Sequence, residues 1–370
     1  MMLKKVLFSL LLCSVCWPIT HVVRYIDPDA DGEGDGTSWE DAYTSAAAWD
    51  AAERLNLVTA DQYHTVYARS SAGTADSPFS IYFTWVTDAT HYVEFIQADP
   101  PGAGIYDETK YRVVGTDEAD GCIWVRPNHC YVRNVQIKVV QTGANTARGV
   151  VFGTCPADNE RVLDSCIIKG DMQGSAGQAN GVSMWNDGDL NVKMYNCTIY
   201  GFKSGVVQSF SGVGLSWANE VYIYNCTIWD CYWGVILRAG EYASWMTNCI
   251  VGNCNTDFSG DITIDYCCSV GGSGTNAQTP LNADWDNEMC DANNGDFSLR
   301  NGGNCLDNGT DDPGSGLYSD DLIGDTRSST WSIGAYEDAV CGALPSGGQV
   351  IFFSHWIRNE EKWLRDLSWL

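Results

Sequence analysis

The sequence predicts an all-β chain: a single-stranded right-handed parallel β-helix with a short N-terminal capping helix and a C-terminal amphipathic helical tail. Three observations predict it. The 370 residues include 38 glycines, 45% hydrophobic residues and only 18% charged ones, a composition of many turns and few long helices. The phrase "YNCTIYGF" at Tyr195 returns as "YNCTIWDC" at Tyr224. Around both copies apolar residues alternate with polar ones, which is the period of a strand.

In chain order, residues 1–20 place Lys4 and Lys5 ahead of an apolar run from Val6 to Trp17. That is the layout of a secretory signal, and the run is too short to span a bilayer. Residues 21–120 read as an N-terminal cap with the first coils. Here "VVRYIDPDADGEGDGTSWEDAY" is a strand and an acidic loop, followed by a short helix with Ala48, Ala52 and Leu55 on one face. A solenoid needs its open end covered, and a short amphipathic helix does that.

Residues 121–272 hold the regular coils. "YVRNVQIKV", "VLDSCIIKG", "KMYNCTIYG", "YIYNCTIWD", "WMTNCIVGN" and "TIDYCCSVG" align on Val135, Cys166, Cys197, Cys226, Cys249 and Cys267, at separations of 31, 31, 29, 23 and 18 residues. Between them runs a second phrase, at Gly149, Gly181, Gly205 and Gly234. A unit of this size cannot bury its own apolar face and must stack on its neighbours, with the length differences taken up in corner loops. Alternation points Cys166, Cys197, Cys226 and Cys249 inward, with Ile168, Ile199, Ile228 and Val251 two positions on. Asn134, Asn196, Asn225 and Asn248 fall at the corner, where Asn tolerates left-handed backbone.

Sixteen cysteines favour an oxidising compartment, and there is no C-x-x-C among them. Stacked cysteines have parallel side chains about 4.8 Å apart, outside disulfide geometry, so the ladder is expected to hold thiols. The bridge candidates are Cys231 and Cys254, and Cys290 with Cys305. N-C-T at Asn196 and Asn225 and N-G-T at Asn308 also match the glycan acceptor pattern, which corner geometry explains without a sugar at the first two.

Residues 273–340 are turn-rich closing coils and loops that wrap the last coils. Residues 341–370 are a Gly/Pro/Ser linker and a segment that sets Phe353, Trp356, Trp363, Leu367 and Leu370 near one helical face. That face suits a cap over the C-terminal end, self-association or docking to a partner. The opening "IDPDADGEGDGTSWEDAY" and the closing "LIGDTRSSTWSIGAYED" together resemble the ends of secreted parallel β-helix repeat proteins of the pectate-lyase-like superfamily. "NCLDNG" stands where those proteins more commonly have S-P-A-I-D-A-G. The resemblance implies the fold and a polysaccharide partner held along an outer face. It also implies that any activity is that of a polysaccharide lyase before a glycoside hydrolase. The alternative is a non-catalytic surface, matrix or virion-type protein.

A formal charge of -26 argues against nucleic acid as a partner. The five histidines are scattered, and no G-H-G with an Asp pair and a downstream Arg occurs. Three positions beyond the inward column stand Lys138, Lys169, Tyr200 and Trp229, expected as one exposed stripe. On the other strand Trp185, Ser209 and Arg238 are expected to share an outward column, with Asp187 and Glu241 nearby. Aromatic faces stack on sugar rings and cations meet uronate or sulfate, so both stripes are candidate glycan contacts. For an elimination, Lys169 is the candidate base and Arg238 its charge partner. Asp27, Asp29, Asp31 and Asp35 resemble a structural Ca²⁺ loop, although Ser38 stands where an EF-hand has its bidentate Glu.

Overall fold

The computed structural model describes residues 19–153, 159–174, 177–185, 190–203, 210–216, 220–238 and 243–341. Residues 1–18 of the expected signal segment and the expected helical tail beyond 341 lie outside these residues.

The strand phrases stack as the repeat requires. Parallel sheets of nine, six and seven strands form the three walls of a right-handed parallel β-helix. One coil runs through Gln178–Trp185 of the seven-stranded sheet, Asn191–Tyr195 of the nine-stranded sheet and Thr198–Tyr200 of the six-stranded sheet, then enters Phe210–Ser216 one coil on. Like side chains stack because the register keeps them level: Ile137 on Ile168, Ile168 on Ile199, Ile199 on Ile228 and Ile228 on Val251.

Cys166, Cys197, Cys226, Cys249 and Cys267 form the expected inner column, fully buried and unbridged. Their thiols are satisfied at the corner by backbone carbonyls, as in Cys197 Sγ to Tyr195 O at 3.2 Å and Cys226 Sγ to Tyr224 O at 3.2 Å. Burial pushes Cys197 and Cys249 well above the usual thiol range, so they stay protonated and inert. Cys231, Cys254 and Cys305 are also free thiols, and the disulfide joins Cys290 to Cys341. Both expected bridges are therefore corrected. Cys231 and Cys254 sit on successive coils as stacked equivalents, and the partner of Cys290 lies on the opposite outer strand of its own three-stranded sheet, across Asp296–Arg300.

The second glycine phrase needs one correction. The aligned glycines are Gly149, Gly181, Gly212 and Gly234, because Val182 pairs with Val150 and Val213, and Val213 with Val235. "SGVG" at Gly212, and not "SGVV" at Gly205, continues the column. Glycine is required by close approach: a Cβ on Gly181 would fall 2.7 Å from the carbonyl oxygen of Gly212.

The capping helix spans Ala46–Glu53, with Ser45 Oγ accepting from the Ala48 amide at 3.1 Å. Its buried face is Ala46, Trp49 and Asp50, while Ala48 and Ala52 are exposed. Trp49 packs on Trp85 at 5.6 Å, and Asp50 Oδ1 accepts from Trp85 Nε1 at 2.8 Å. A carboxylate on the buried face hid the true stripe from apolar counting.

The corner asparagines take positive φ, 62° at Asn134, 56° at Asn196, 44° at Asn225 and 55° at Asn248. Their amides mainly hold the closing segment. Asn196 Nδ2 donates to Asp320 O at 2.7 Å, Asn225 Nδ2 to Ser332 O at 2.9 Å, and Asn248 Nδ2 to Thr310 O at 2.8 Å. Asn196 and Asn225 are 2% and 0% exposed, which closes both to glycosylation in the folded chain. Asn308 is exposed.

That segment crosses the outer face of the six-stranded sheet and makes a second core of Trp229, Ile250, Cys268, Phe297, Cys305, Ile333 and Tyr336. Tyr336 Oη reaches Gly104 O at 2.9 Å. Arg327 and Glu337 pair at 3.1 Å with side-chain exposures of 0% and 2%, and Asn196 Oδ1 accepts from Arg327 at 2.7 Å. Glu337 also accepts from the Ser328 and Ser332 amides, both at 2.9 Å, so the buried pair is supported by further hydrogen bonds, while the Arg327 Nε proton is left without a hydrogen-bond partner among the described residues. Asp321, in the adjacent-Asp run "SDD", accepts from the Glu337, Ile323 and Asp325 amides and is structural.

Candidate functional site

Two guanidinium groups and three aromatic rings gather at the N-terminal end of the outer face of the seven-stranded sheet. Phe79–Ile81 pairs with Ile123–Val125 so that Ile81 lies beside Val125, and the Arg126 amide bonds to Ile81 O. The next residues out, Tyr82 and Arg126, thus leave the sheet side by side. Phe83 is 63% exposed and Tyr82 40%. The Arg126 guanidinium lies 3.5 Å from the Trp124 ring centroid, 5.7 Å from Tyr82 and 5.9 Å from Phe83. Arg54 approaches Tyr82 at 4.4 Å and is paired with Asp50 at 3.1 Å.

Arg126 has no carboxylate partner among the described residues, although the chain has 47 carboxylates for 21 Lys and Arg. In so acidic a molecule an unpaired guanidinium over an indole is held by the ring and leaves its N–H groups for an incoming anion. Its backbone is fixed from inside. Fully buried Arg161 donates to the carbonyls of Arg126 and Pro127, both at 2.7 Å, and to Gly153. Farther along the same face Val151 and Ser183 are buried.

The sequence-predicted residues distribute unevenly. Trp185 is in register with Ser216, and Ser216 with Arg238, so Trp185 and Arg238 do share a column on this sheet. The middle member is Ser216 in place of Ser209, by the same shift that moved Gly205 to Gly212. The side chains of Trp185 and Arg238 lie outside the described residues, as do Ser209, Asp187 and Glu241.

Lys138, Lys169, Tyr200 and Trp229 do stack in register on the six-stranded sheet. The exposed stripe expected there is not found. Trp229 is 4% exposed and meets Trp285 at 5.3 Å edge-on, while Tyr200 packs on Phe297 at 5.1 Å. The closing segment covers both, and aromatic side chains in the column are what it packs against. Lys138 is held between Glu108 at 3.6 Å and Asp171 at 3.7 Å. Lys169 Nζ stands 5.1 Å over the Tyr106 ring, with no carboxylate partner among the described residues.

The acidic loop does not fit a calcium site. Asp27 is 1% exposed and spent on Arg69 at 3.0 Å and the Ser71 amide at 3.2 Å. Asp29 accepts from Ser70 Oγ and the Ala72 amide, each at 2.8 Å, and against the opposing effect of burial Thr74, Ala72 and Ser70 together hold its carboxyl below the usual range. Asp35 caps Thr37 at 2.9 Å, and Asp31 is exposed. Among the described residues no three Asp, Glu, His or Cys side chains are placed to hold a metal ion. Arg69 and the backbone amides supply the positive ends that the loop requires.

Sequence reasoning missed an ionic ladder on the nine-stranded sheet. Arg133 bridges Glu94 and Asp164, each at 2.9 Å, and Lys193 pairs with Glu160. The Nε proton of Arg133 is not aimed at Glu94, so that contact is one of charge and not a formed hydrogen bond. Burial pushes Asp164 up to about 6, against the pull of Arg133, Ser165 and Tyr195. Arg133 fills the space between the two carboxylates, which marks the cluster as a ladder between coils. Sequence spacing held the signal: Glu94, Arg133 and Asp164 fall on three successive coils.

No family model and no curated protein matches the chain. Among solved structures, that of the pectate lyase Pel9A superposes at 12% identity with a TM-score of 0.42, over 86% of this chain and 96% of that one. The strand register shows the fold independently of that likeness.

Proposed function

We propose that this chain is an exported β-helix protein that binds an acidic polysaccharide along the outer face of its seven-stranded sheet, at Tyr82, Phe83, Trp124 and Arg126. The observation that carries the reading is Arg126. It is a cation without a carboxylate partner among the described residues, set over one indole and beside two exposed rings. Sugar rings stack on such faces, and a guanidinium edge takes a carboxylate or sulfate through paired N–H groups. Trp185 and Arg238 continue the same column toward the C-terminal end.

Binding is the primary reading. The described residues of this face bring no second carboxylate opposite the cation, as a hydrolytic pair requires. Cleavage by elimination, with Lys169 as base, is the further claim and has less support, since Lys169 lies on a different sheet from Arg126.

The test is a panel of uronate, sulfated and neutral oligosaccharides titrated against the full chain and Arg126→Ala. We expect the acidic members to bind and the variant to lose about tenfold in affinity, the scale of one such contact. Equal binding of acidic and neutral sugars, or an unchanged affinity in the variant, overturns the reading. Absorbance at unsaturated uronate products, or new reducing ends, reports turnover in the same samples.

A further inference from the structure

The two ends of the solenoid are covered differently. At the N-terminal end the capping helix lays Trp49, 0% exposed, over the first coils and against Phe95 at 5.9 Å. At the C-terminal end three inward columns lose their cover. Val182, Val213 and Val235 are 0% exposed, but Phe258, the next member of that column, is only partly buried. Ile223 and Met246 are likewise 0% exposed, and Ile264 beyond them is partly buried, as is Ile262 beyond Val221 and Ser244. Residues 271–276 pass over this end, with the Thr275 amide bonded to Ile264 O at 2.9 Å, but they bring only Gly, Ser, Thr and Asn side chains. Thr256–Ser259 and Ile262–Asp265 are also the last strands of their sheets. An open edge of this kind is a template for unwanted pairing unless a helix or loop covers it.

One segment of the chain suits this end. Residues 342–370 follow Cys341, which is linked to Cys290 and lies on the strand paired with Asp296–Arg300. Leu299 of that strand packs in the second core with Ile250 and Cys268 of the last coils, so the segment departs beside the open end. Its first eight residues, "GALPSGGQ", extend to about 26 Å, against about 10 Å between packed sheets. The rest sets Phe353, Trp356, Trp363, Leu367 and Leu370 in one stripe of a helix about 30 Å long. Charge selects this occupant over a second copy. The rim of the open end holds Asp257, Asp261 and Asp265, and another chain of -26 would bring like charge to it. The segment is neutral instead: Arg358, Lys362 and Arg365 balance Glu360, Glu361 and Asp366.

We propose that residues 350–370 of the same chain lie as an amphipathic helix across the C-terminal end of the β-helix, with the aromatic stripe on Phe258, Ile262 and Ile264. The solenoid is then closed by a helix at each end, as its open core requires. The Cys290–Cys341 bond gives the linker a fixed origin beside the last coils. Docking from that origin is intramolecular, so the short linker holds the helix at a high effective concentration over its site.

Amide hydrogen exchange of the full chain tests this, on wild type and on the triple variant Trp356→Glu, Trp363→Glu, Leu367→Glu, at concentrations where sedimentation gives a monomer. In wild type, peptides from residues 350–370, Thr256–Ser259 and Ile262–Asp265 are expected to be protected. In the variant all three are expected to exchange at least about tenfold faster, with Gln62–Ala68 at the other end unchanged. Exchange of wild-type residues 350–370 at the rate of a free peptide overturns the proposal, as does unchanged exchange of the two edge strands in the variant. Protection that appears only with dimers, or only with added vesicles of phosphatidylcholine and phosphatidylglycerol, gives the stripe another occupant and overturns it too. Joint protection of the segment and both edge strands in monomeric wild type decides alone if the variant fails to fold.

Discussion

Arg126 meets aromatic rings where most of the described Lys and Arg side chains meet carboxylates, and its substitution separates charge from packing. Arg126→Lys keeps the charge but lacks the planar fork, so it is expected to fall between wild type and Arg126→Ala in affinity for acidic oligosaccharides, as titration calorimetry reads. Two buried titrating groups set opposite pH trends. Burial lowers His64 to about 4, so the unfolded chain binds its proton more readily and stability falls as pH drops from 6.5 to 4, by roughly 3 kcal/mol. Asp164, raised to about 6 chiefly by burial, binds its proton more readily when folded, so its contribution is fully present below pH 3.8 and is lost as pH rises through 6, by about 3 kcal/mol. Asp257, also raised to about 6 by burial, adds to the Asp164 trend, so the two assignments are read against wild type. Denaturant midpoints across pH 4 to 6.5 are expected to fall more steeply with pH in His64→Gln than in wild type, and less steeply or to rise in Asp164→Asn; parallel curves for all three proteins contradict both assignments.

The corner column ties the coil to its cover. Asn225 combines φ 44° with bonds to Ser332 O, Gly334 O and the Tyr318 hydroxyl. Asn225→Ala loses the left-handed tolerance and leaves buried partners unmet, at about 3 kcal/mol, whereas Asn225→Gly recovers roughly 1 kcal/mol of it through the backbone. Urea unfolding of the two variants measures the difference, and equal losses remove the backbone share. These elements were legible because N-C-x-I combines a turn residue with strict alternation, which leaves one register. Gly212 was misplaced because "SGVV" and "SGVG" read alike and lie seven residues apart. Only the level of the neighbouring valines separates them. The helix face was missed for another reason: Asp50 is buried because Trp85, 35 residues on, donates to it, and no local pattern carries that.

For the whole molecule, charge sets how an acidic partner approaches. At 0.01 M salt the Debye length is about 30 Å and the partner feels the full -26, whereas at 0.15 M it is about 8 Å and the Arg126 neighbourhood dominates. The association rate of an acidic oligosaccharide is therefore expected to rise between those salt concentrations, by stopped-flow fluorescence of the site tryptophan; a steady fall would place a wider positive surface at the site. The fold was readable at this scale and the site only in part. Stacking follows from local repetition, but exposure of Tyr200 and Trp229 depended on a segment from Leu281 onward folding back over them. That return has a consequence for synthesis. A nascent chain winds its coils in order of emergence, yet one flank stays greasy until Tyr336 has left the ribosome and found Gly104, 232 residues behind it. Interrupted translation thus yields a rod with an unbuttoned side, ready for chaperones or proteases to recognise.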